Sequence, residues 1–350
     1  MMSDPLSPAV NSKSFDFLVF IGRFQPFHLG HWQIIDAALK QAQQVIVLVG
    51  SSQQPRSIRN PWSFTEREHF IRSAFPAEVQ TRLHVLPIVD DMYNDQNWIA
   101  RVQQAVQSVV DTQANSTPHI GLIGHSKDET SYYLSLFPQW DSVSVPSYQN
   151  GLSATPLREQ YFLTGVISDQ LPPSVQQQLA QFKTTADYQQ VAEEWQFVRQ
   201  YQQGWANAPY PPTFVTVDAV VIQAGHVLLI QRRARPGKGL WALPGGFVNQ
   251  DETLRDAVIR ELREETRIKI PAPVLQGSIS KTQVFDHPDR SSRGRTITHA
   301  YLIELKPDAQ GLPKVKGSDD AQAAKWVPLS TLNPEHFFED HYHIITALVG

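Results

Sequence analysis

The chain has 350 residues, about twice the usual size of one domain, so two domains are expected. With 41% apolar and 18% charged residues either half can bury a core, and a formal net charge of −4 excludes broad nucleic-acid binding driven by net charge. The absence of cysteine excludes disulfides, thiolate zinc sites and cysteine nucleophiles. No run of about 18 apolar residues is present to span a bilayer. The opening MMSDPLSPAVNSKS lacks an apolar stretch flanked by basic residues, so no secretory signal is expected. The expectation is a cytoplasmic protein with no nucleic-acid or membrane partner, and a homo-oligomer is compatible with the sequence.

Residues 1–14 are polar and read as a mobile tail. Phe17–Gly22 reads as a buried strand, His31–Ala42 as a helix and Val45–Gly50 as a second strand. Ser63 and Glu66 form a capping box that opens a helix through Phe75. Leu83–Val89, a helix near Asn97–Val110, and Ile120–Gly124 continue the alternation, which implies a doubly wound parallel sheet over 15–185. Helices near Ser174–Phe182 and Tyr188–Tyr201 follow. Residues 186–212 read as a helix and a proline-rich linker, Asn207–Pro212. From 213 to 350 the pattern is α+β, a mixed sheet between helices. Thr213–Gln223 and His226–Arg232 flank an Ala224-Gly225 turn, and Val274–Phe285 and Thr296–Leu305 read as further strands. Thr253–Thr266 is strongly amphipathic, and a last helix covers about Asp340–Val349.

Gly22-Arg-Phe-Gln-Pro-Phe-His-Leu-Gly-His31 lies where a strand gives way to a helix, the edge of an open α/β sheet at which ligands bind. A helix N-terminus there suits phosphate. Gly22 and Gly30 permit close backbone approach, His28 and His31 can donate to phosphate oxygens, and Arg23 adds a fork-shaped donor. Two histidines at a helix start also serve as caps or packing residues, and the pattern alone leaves both uses open.

This segment resembles the HxGH signature of the nucleotidyltransferase superfamily. Its longer GRFQPFHxGH form is similar to the archaeal-type branch of nicotinamide mononucleotide (NMN) adenylyltransferases. Gly50-Ser-Ser-Gln53, Ser57–Trp62, and Asp90–Asn94 followed by Trp98 match that branch in order and spacing. Leu152–Arg158 resembles its second phosphate motif, ISxTxxR, with Ala154 at a place that tolerates small residues. The resemblance covers about residues 15–183. It implies transfer of AMP from ATP to NMN, giving NAD and pyrophosphate. Arg23, His28, His31, Arg59 and Arg158 would align and neutralise the phosphates beside Mg²⁺. Trp98 would stack on nicotinamide, with Asp90 and Asn94 fixing its amide. Gly22, Phe24, Gly30, Asn60, Ser153 and Thr155 complete the implied substrate contacts. Gly124, ahead of His125-Ser-Lys-Asp128, is a second candidate wall of the ATP pocket.

In the second half, Gly246 to Glu252 followed by Arg260-Glu-Leu-Arg-Glu-Glu265 fits Gx5Ex7REUxEE, the Nudix box. At about 100° per residue, Glu261, Glu264 and Glu265 share about a third of the helix circumference. Carboxylates so placed repel one another unless a cation lies between them, so Mg²⁺ or Mn²⁺ is the natural partner. An isolated run of this kind would read as a solvated acidic face with Arg260 and Arg263 as partners. The preceding Leu243-Pro-Gly-Gly246 and the full spacing favour a hydrolase. Arg267 stands where the box has a glycine that often takes positive φ, at a cost of about 1 kcal/mol to other residues. Residues 294–301 look like the ADP-ribose-processing subgroup, which implies release of AMP and ribose 5-phosphate. Arg295 is a candidate phosphate contact, Phe285 or Trp241 a candidate adenine stack, and Glu304 or the Asp319-Asp320 pair a candidate base. The tandem resembles the bifunctional NMN adenylyltransferase/Nudix hydrolases. A non-catalytic ADP-ribose sensor, or hydrolysis of another nucleoside diphosphate derivative, is the alternative for the second half.

Overall fold

A computed structural model describes residues 13–113, 117–124, 136–146, 148, 151–307, 309 and 311–350. The expected tail lies outside them apart from residues 13 and 14, as does the candidate wall beyond Gly124. The apolar runs of the first half form β1 (Phe15–Gly22), β2 (Ala42–Val49), β3 (Leu83–Pro87), β4 (Ile120–Gly124) and the short β5 (Asp141–Ser144). They pair in the order β3-β2-β1-β4-β5, and every pairing is parallel. Such a sheet must be covered on both faces. Leu18 and Phe20 of β1 enter a core with α1 (Leu29–Gln41) and α2 (Phe64–Ser73). Phe17, Val19 and Ile21, on the opposite face, meet Val102 and Val106 of α3 (Asp95–Gln113). The sheet is therefore doubly wound. Its order reverses between β1 and β4, which opens a crevice at the carboxyl ends of those strands.

Three helices complete this half: α4 (Ala154–Thr164), α5 (Pro173–Phe182) and α6 (Ala186–Gln203). The helix read near Tyr188–Tyr201, ahead of the proline-rich linker, is α6. Its Val191 and Ala192 join the same core as Tyr161 and Phe162 of α4, because one apolar stripe of the helix needs cover.

The second half contains β6 (Phe214–Gln223), β7 (His226–Arg232), β8 (Trp241–Ala242), β9 (Gly245–Phe247) and α7 (Leu254–Thr266). After these come α8 (Ala272–Gly277), β10 (Ile279–Phe285), β11 (Thr296–Glu304), β12 (Ala321–Pro328) and α9 (His341–Val349). The sheet runs β10-β11-β6-β7-β12, with β8 beside β7 and β9 beside β6. Only β11 and β6 pair parallel among these strands. Val217, Ala219 and Val221 pack on Ala257, Val258 and Leu262 of α7, and the opposite face packs on Ile344, Ile345 and Leu348 of α9. This is the mixed sheet between helices that the pattern implied. Ala224 and Gly225 both take positive φ in the β6–β7 turn, as a two-residue hairpin of the primed type needs.

One expectation is corrected. The strand read over 274–285 begins only at Ile279, because Pro271 caps α8 and Pro273 fixes its first turn. β5 and β12 have no counterpart in the sequence reading, since DSVS is too polar and AQAAKWVP too alanine-rich to show a strand period. Arg267 caps α7 in the left-handed region at φ 51, the conformation usually left to glycine. Among the described residues no helix is long and apolar enough to cross a membrane.

Candidate active sites

β1 ends at Gly22 and the chain turns sharply. Phe24 takes φ 52 and tucks its ring into the core, so close that a Cβ on Gly22 would stand 2.9 Å from it. Phe24 is 1% exposed, so its ring serves the core rather than the cleft wall. It supports His31 from beneath, the two rings meeting edge-on at 4.9 Å. His28 is the N-cap of α1 and forms a reciprocal capping box with His31. Each Nδ1 accepts the other residue's backbone N–H at 3.3 Å, and the rings stack at 3.6 Å. A Cβ on Gly30 would crowd the His28 ring at 3.1 Å.

Capping and phosphate binding are therefore not rivals here. An acceptor role at Nδ1 puts the ring proton of a neutral imidazole on Nε2. Each histidine is thus set as a donor at Nε2.

Arg158 of α4 reaches this turn. Its Nη1 donates to the Gln25 carbonyl at 2.6 Å and its Nη2 to Thr155 Oγ1 at 3.2 Å, while Nε is buried without a partner. Burial pushes its pKa down to about 10, with repulsion from Arg23 and Arg59 adding to the effect. It stays cationic at neutral pH, so three guanidiniums lie within electrostatic reach of one another. An arrangement of that kind is stabilised by a polyanion. Ser153 stands at the N-cap of α4 with no side-chain cap bond, and Gly124 ends β4 with its carbonyl accepting from Val145 N–H at 2.9 Å.

Beside this group lies a cleft of about 460 Å³. Arg23, Arg59, Asn60, Asp90 and Trp98 line it, whereas His28, His31 and Arg158 do not. Trp98 opens α3 and leans on Phe137 at 6.0 Å. The Asp90 carboxylate accepts from Ser51 N–H at 3.0 Å and from Ser51 Oγ at 2.5 Å. Asn94, expected to fix an amide, is off the cleft wall: its Oδ1 accepts from Asn97 N–H and caps the start of α3. Asn60 Nδ2 donates to Gln54 at 2.7 Å, leaving Oδ1 buried without a partner. Arg59 pairs with Asp289 of the C-terminal half at 3.1 Å.

Arg67 was missed by sequence reasoning. It is 1% exposed and ties the Arg23, Gly50 and Ser51 carbonyls together, which fixes the two loops that frame the cleft. Burial lowers its pKa to about 10, so the charge is retained. The available signal was an arginine in phase with Phe64 and Phe70 on the apolar stripe of α2.

The second cleft, of about 300 Å³, lies over α7 and the β9 turn. Glu261 and Glu265 line it. Glu264, more exposed, joins them only through Arg260, which donates to Glu252, Glu261 and Glu264 at 2.6, 2.8 and 3.0 Å. Arg260 holds Glu252 down to about 2. The spacing of the box thus has a concrete meaning: one guanidinium gathers the carboxylates of turn and helix. Gly246 leaves room for Glu261, since a Cβ there would meet its Oε1 at 2.5 Å. Gly245 N–H donates to Glu265 at 2.9 Å.

Among the described residues no group of three side chains already has metal-binding geometry. The donor set nevertheless suits a divalent cation. Burial pushes Glu265 up to about 8, with Glu261 and Asp320 adding repulsion, and Glu261 is likewise raised by burial. A cation among these oxygens removes both penalties.

Arg295, the candidate phosphate contact, is not on the wall of this cleft. It pairs outward with Asp286, because its place in the turn before β11 aims it at the solvent side. Arg232, Arg290 and Arg293 line the cleft instead. Phe285 is 1% exposed and packed in the core, and Trp241 carries Lys325 over its ring at 4.0 Å; neither lines the cleft. Two phenylalanines do: Phe338, which is buried, and Phe247, 39% exposed with Arg293 over its ring. Asp319 and Asp320 stand on the cleft wall, and Glu304 does not.

Glu265 supplies a pH test. Its folded pKa of about 8 exceeds the ordinary 4.5, so its stabilising share is full below about 4.5 and is lost as pH rises through about 8. Divalent-ion affinity should climb with pH up to about 8 and then level off, because the ion displaces a proton below that point. Calorimetric Mn²⁺ titrations between pH 6 and 9 check this, and an affinity flat across that range contradicts it.

A doubly wound sheet with a cationic turn at its switch point, followed by a metal-suited carboxylate helix on a mixed sheet, defines a nucleotidyltransferase joined to a Nudix domain. Family comparisons agree. Residues 19–126 match the cytidylyltransferase-like family and residues 212–348 the NUDIX domain. A nicotinamide/nicotinic acid mononucleotide adenylyltransferase of Acinetobacter baylyi is 44% identical over 52% of this chain and 94% of its own. An ADP-ribose pyrophosphatase of Methanocaldococcus jannaschii is 37% identical over 37% of this chain and 70% of its own. The crystal structure of a bifunctional NMN adenylyltransferase/ADP-ribose pyrophosphatase from Francisella tularensis, complexed with AMP and a Mn ion, superposes with a TM-score of 0.88. It is 38% identical and covers 96% of this chain and 98% of that one. The chain belongs to the family of bifunctional NMN adenylyltransferase/ADP-ribose pyrophosphatases.

Proposed function

We propose that residues 15–185, extended by α6, transfer AMP from ATP to NMN, and that residues 213–350 hydrolyse ADP-ribose to AMP and ribose 5-phosphate. The observation that carries this reading is the end-to-end likeness to a structure of both named activities, with two clefts that share part of one wall.

In the first reaction the NMN 5′-phosphate attacks the α-phosphorus of ATP and pyrophosphate leaves. A phosphate monoester needs no general base at neutral pH, so the protein's task is alignment and charge neutralisation. Arg158, Arg23 and Arg59 offset the phosphate charge, and the Nε2–H groups of His28 and His31 donate to phosphate oxygens. Trp98 offers a flat face to the pyridine ring. Asp90 presents an acceptor to the carboxamide N–H, which favours NMN over its nicotinate analogue, whose carboxylate would meet like charge.

In the second reaction Glu261, Glu264 and Glu265 hold Mg²⁺ or Mn²⁺, which when bound polarises the diphosphate and activates water. Holding the ion requires that Glu261 and Glu264 exchange their bonds to Arg260 for it. Arg232 and Arg293 face the anionic substrate, and Phe247 offers a stacking surface for adenine.

Assays of the full chain test both halves. NAD formation from NMN and ATP with Mg²⁺, and AMP release from ADP-ribose with Mg²⁺ or Mn²⁺, are expected. Adenylylation of a different acceptor with none of NMN removes the first assignment. Absence of AMP release removes the second.

A further inference from the structure

We propose that Tyr93 is a positioning residue for dinucleotide synthesis, anchored on Asp340 of the Nudix half, so that the C-terminal domain is a working part of the N-terminal cleft. This rests on the NMN reading of that cleft. Asp91, Met92 and Asp95 line it beside Asp90 and Trp98, while Tyr93, in their midst, is absent from the wall. Its side chain crosses to the other half. Oη donates to Asp340 Oδ2 at 2.5 Å, and the ring packs edge-on against Phe285 at 4.8 Å.

The acceptor is itself fixed. Asp340 is fully buried, and Arg290 grips both of its oxygens, Nε to Oδ2 at 2.9 Å and Nη2 to Oδ1 at 3.0 Å. A bidentate pair of this kind allows little rotation. Burial holds the Tyr93 phenol well above its ordinary pKa, so Oη remains a donor at any working pH.

The segment from Asp90 to Trp98 is therefore held at two points. Ser51 holds Asp90, and Asp340 holds Tyr93. Asp90, which would meet the amide, is the first of these points, and Trp98, which would face the nicotinamide ring, follows the second on the same segment. The same anchor touches the other site: Arg290, Phe338 and Glu339 line both clefts. The next residue, His341, accepts Leu243 N–H on Nδ1 at 2.9 Å, and that turn leads to the Gly245 N–H bonded to Glu265. A shared wall gives the Nudix domain a direct hold on the geometry of NMN binding.

Tyr93→Phe keeps the ring and removes only the anchoring hydroxyl. Steady-state kinetics of the full chain should show the KM for NMN raised about tenfold, as expected for one lost hydrogen bond to a charged group. The kcat for synthesis and the KM for ATP should move less than about threefold on the same principle. ADP-ribose hydrolysis should match the wild type. Asp340→Asn, which also weakens the grip on Arg290, should raise the KM for NMN and the KM for ADP-ribose together. An unchanged KM for NMN in Tyr93→Phe overturns the proposal, and so does an equal fall of kcat in both activities, the mark of a general folding defect. Wild-type protein that makes no NAD from NMN and ATP fails the functional reading itself, and the proposal falls with it. Active wild type with an indifferent Tyr93→Phe removes the proposal alone.

Discussion

Replacing His31 by alanine should cost dinucleotide synthesis about 10²–10³-fold in kcat/KM, the usual effect of removing one preorganised donor to a transition-state oxyanion. The substitution has a second, smaller consequence. His31 Nδ1 accepts the His28 N–H in the capping box, so its loss also removes a cap, worth about 0.5–2 kcal/mol. The chain carries its own control against confusing the two. ADP-ribose hydrolysis, measured in the same preparation, should stay at the wild-type level if only synthesis has been hit. A fall of both activities in step would mean that the turn after β1 is chiefly structural. Wild-type synthesis would show that the histidine does not touch phosphate.

The converse variant is Glu265→Gln. Loss of ADP-ribose hydrolysis by about 10³-fold is expected, about 4 kcal/mol at 1.36 kcal/mol per decade. Stability should move the other way. The buried carboxylate is held up to about 8 by its surroundings, so a neutral isostere that still accepts the Gly245 N–H removes an electrostatic burden. Metal-free Glu265→Gln should therefore melt at or above the wild-type temperature at pH 8 while hydrolysing almost nothing. Synthesis should be unaffected. Retained hydrolysis would exclude Glu265 from the ion site.

How much of this was legible in the sequence follows from the range of the interactions involved. The turn from Gly22 to His31 was readable because its residue types and spacing are local: a strand end, two glycines and a helix cap within ten residues. The Nudix box was readable for the same reason, since one helix and one turn supply every carboxylate and the arginine that gathers them. Phe24 lies inside the same local motif, yet the burial of its ring was not legible there. Only the positive φ at that residue turns its ring under the histidines, and no residue type announces it. The cap made by Asn94 was not legible because a polar residue just before a helix is as suited to capping as to ligand binding.

The arginines show the opposite limit. Arg295 sits in the segment that resembles the ADP-ribose subgroup, but Arg290 and Arg293, a few residues upstream, and Arg232 at the end of β7 line the cleft. Which of several nearby arginines faces a pocket depends on strand register and loop path, neither of which has a period in the sequence. The far wall of the first cleft was hidden for a similar reason. Pro236, His287 and Arg290 come from the other half of the chain, and the docking of distant segments leaves no spacing to read.

The most direct measurement is a crystal structure of the full chain with NMN and ADP-ribose present together. The account predicts NMN in the larger cleft, its ring against Trp98 and its amide toward Asp90. It predicts the ADP-ribose diphosphate beside Glu261 and Glu265, facing Arg232. Both ligands in one cleft, or NMN bound away from Trp98, would contradict it.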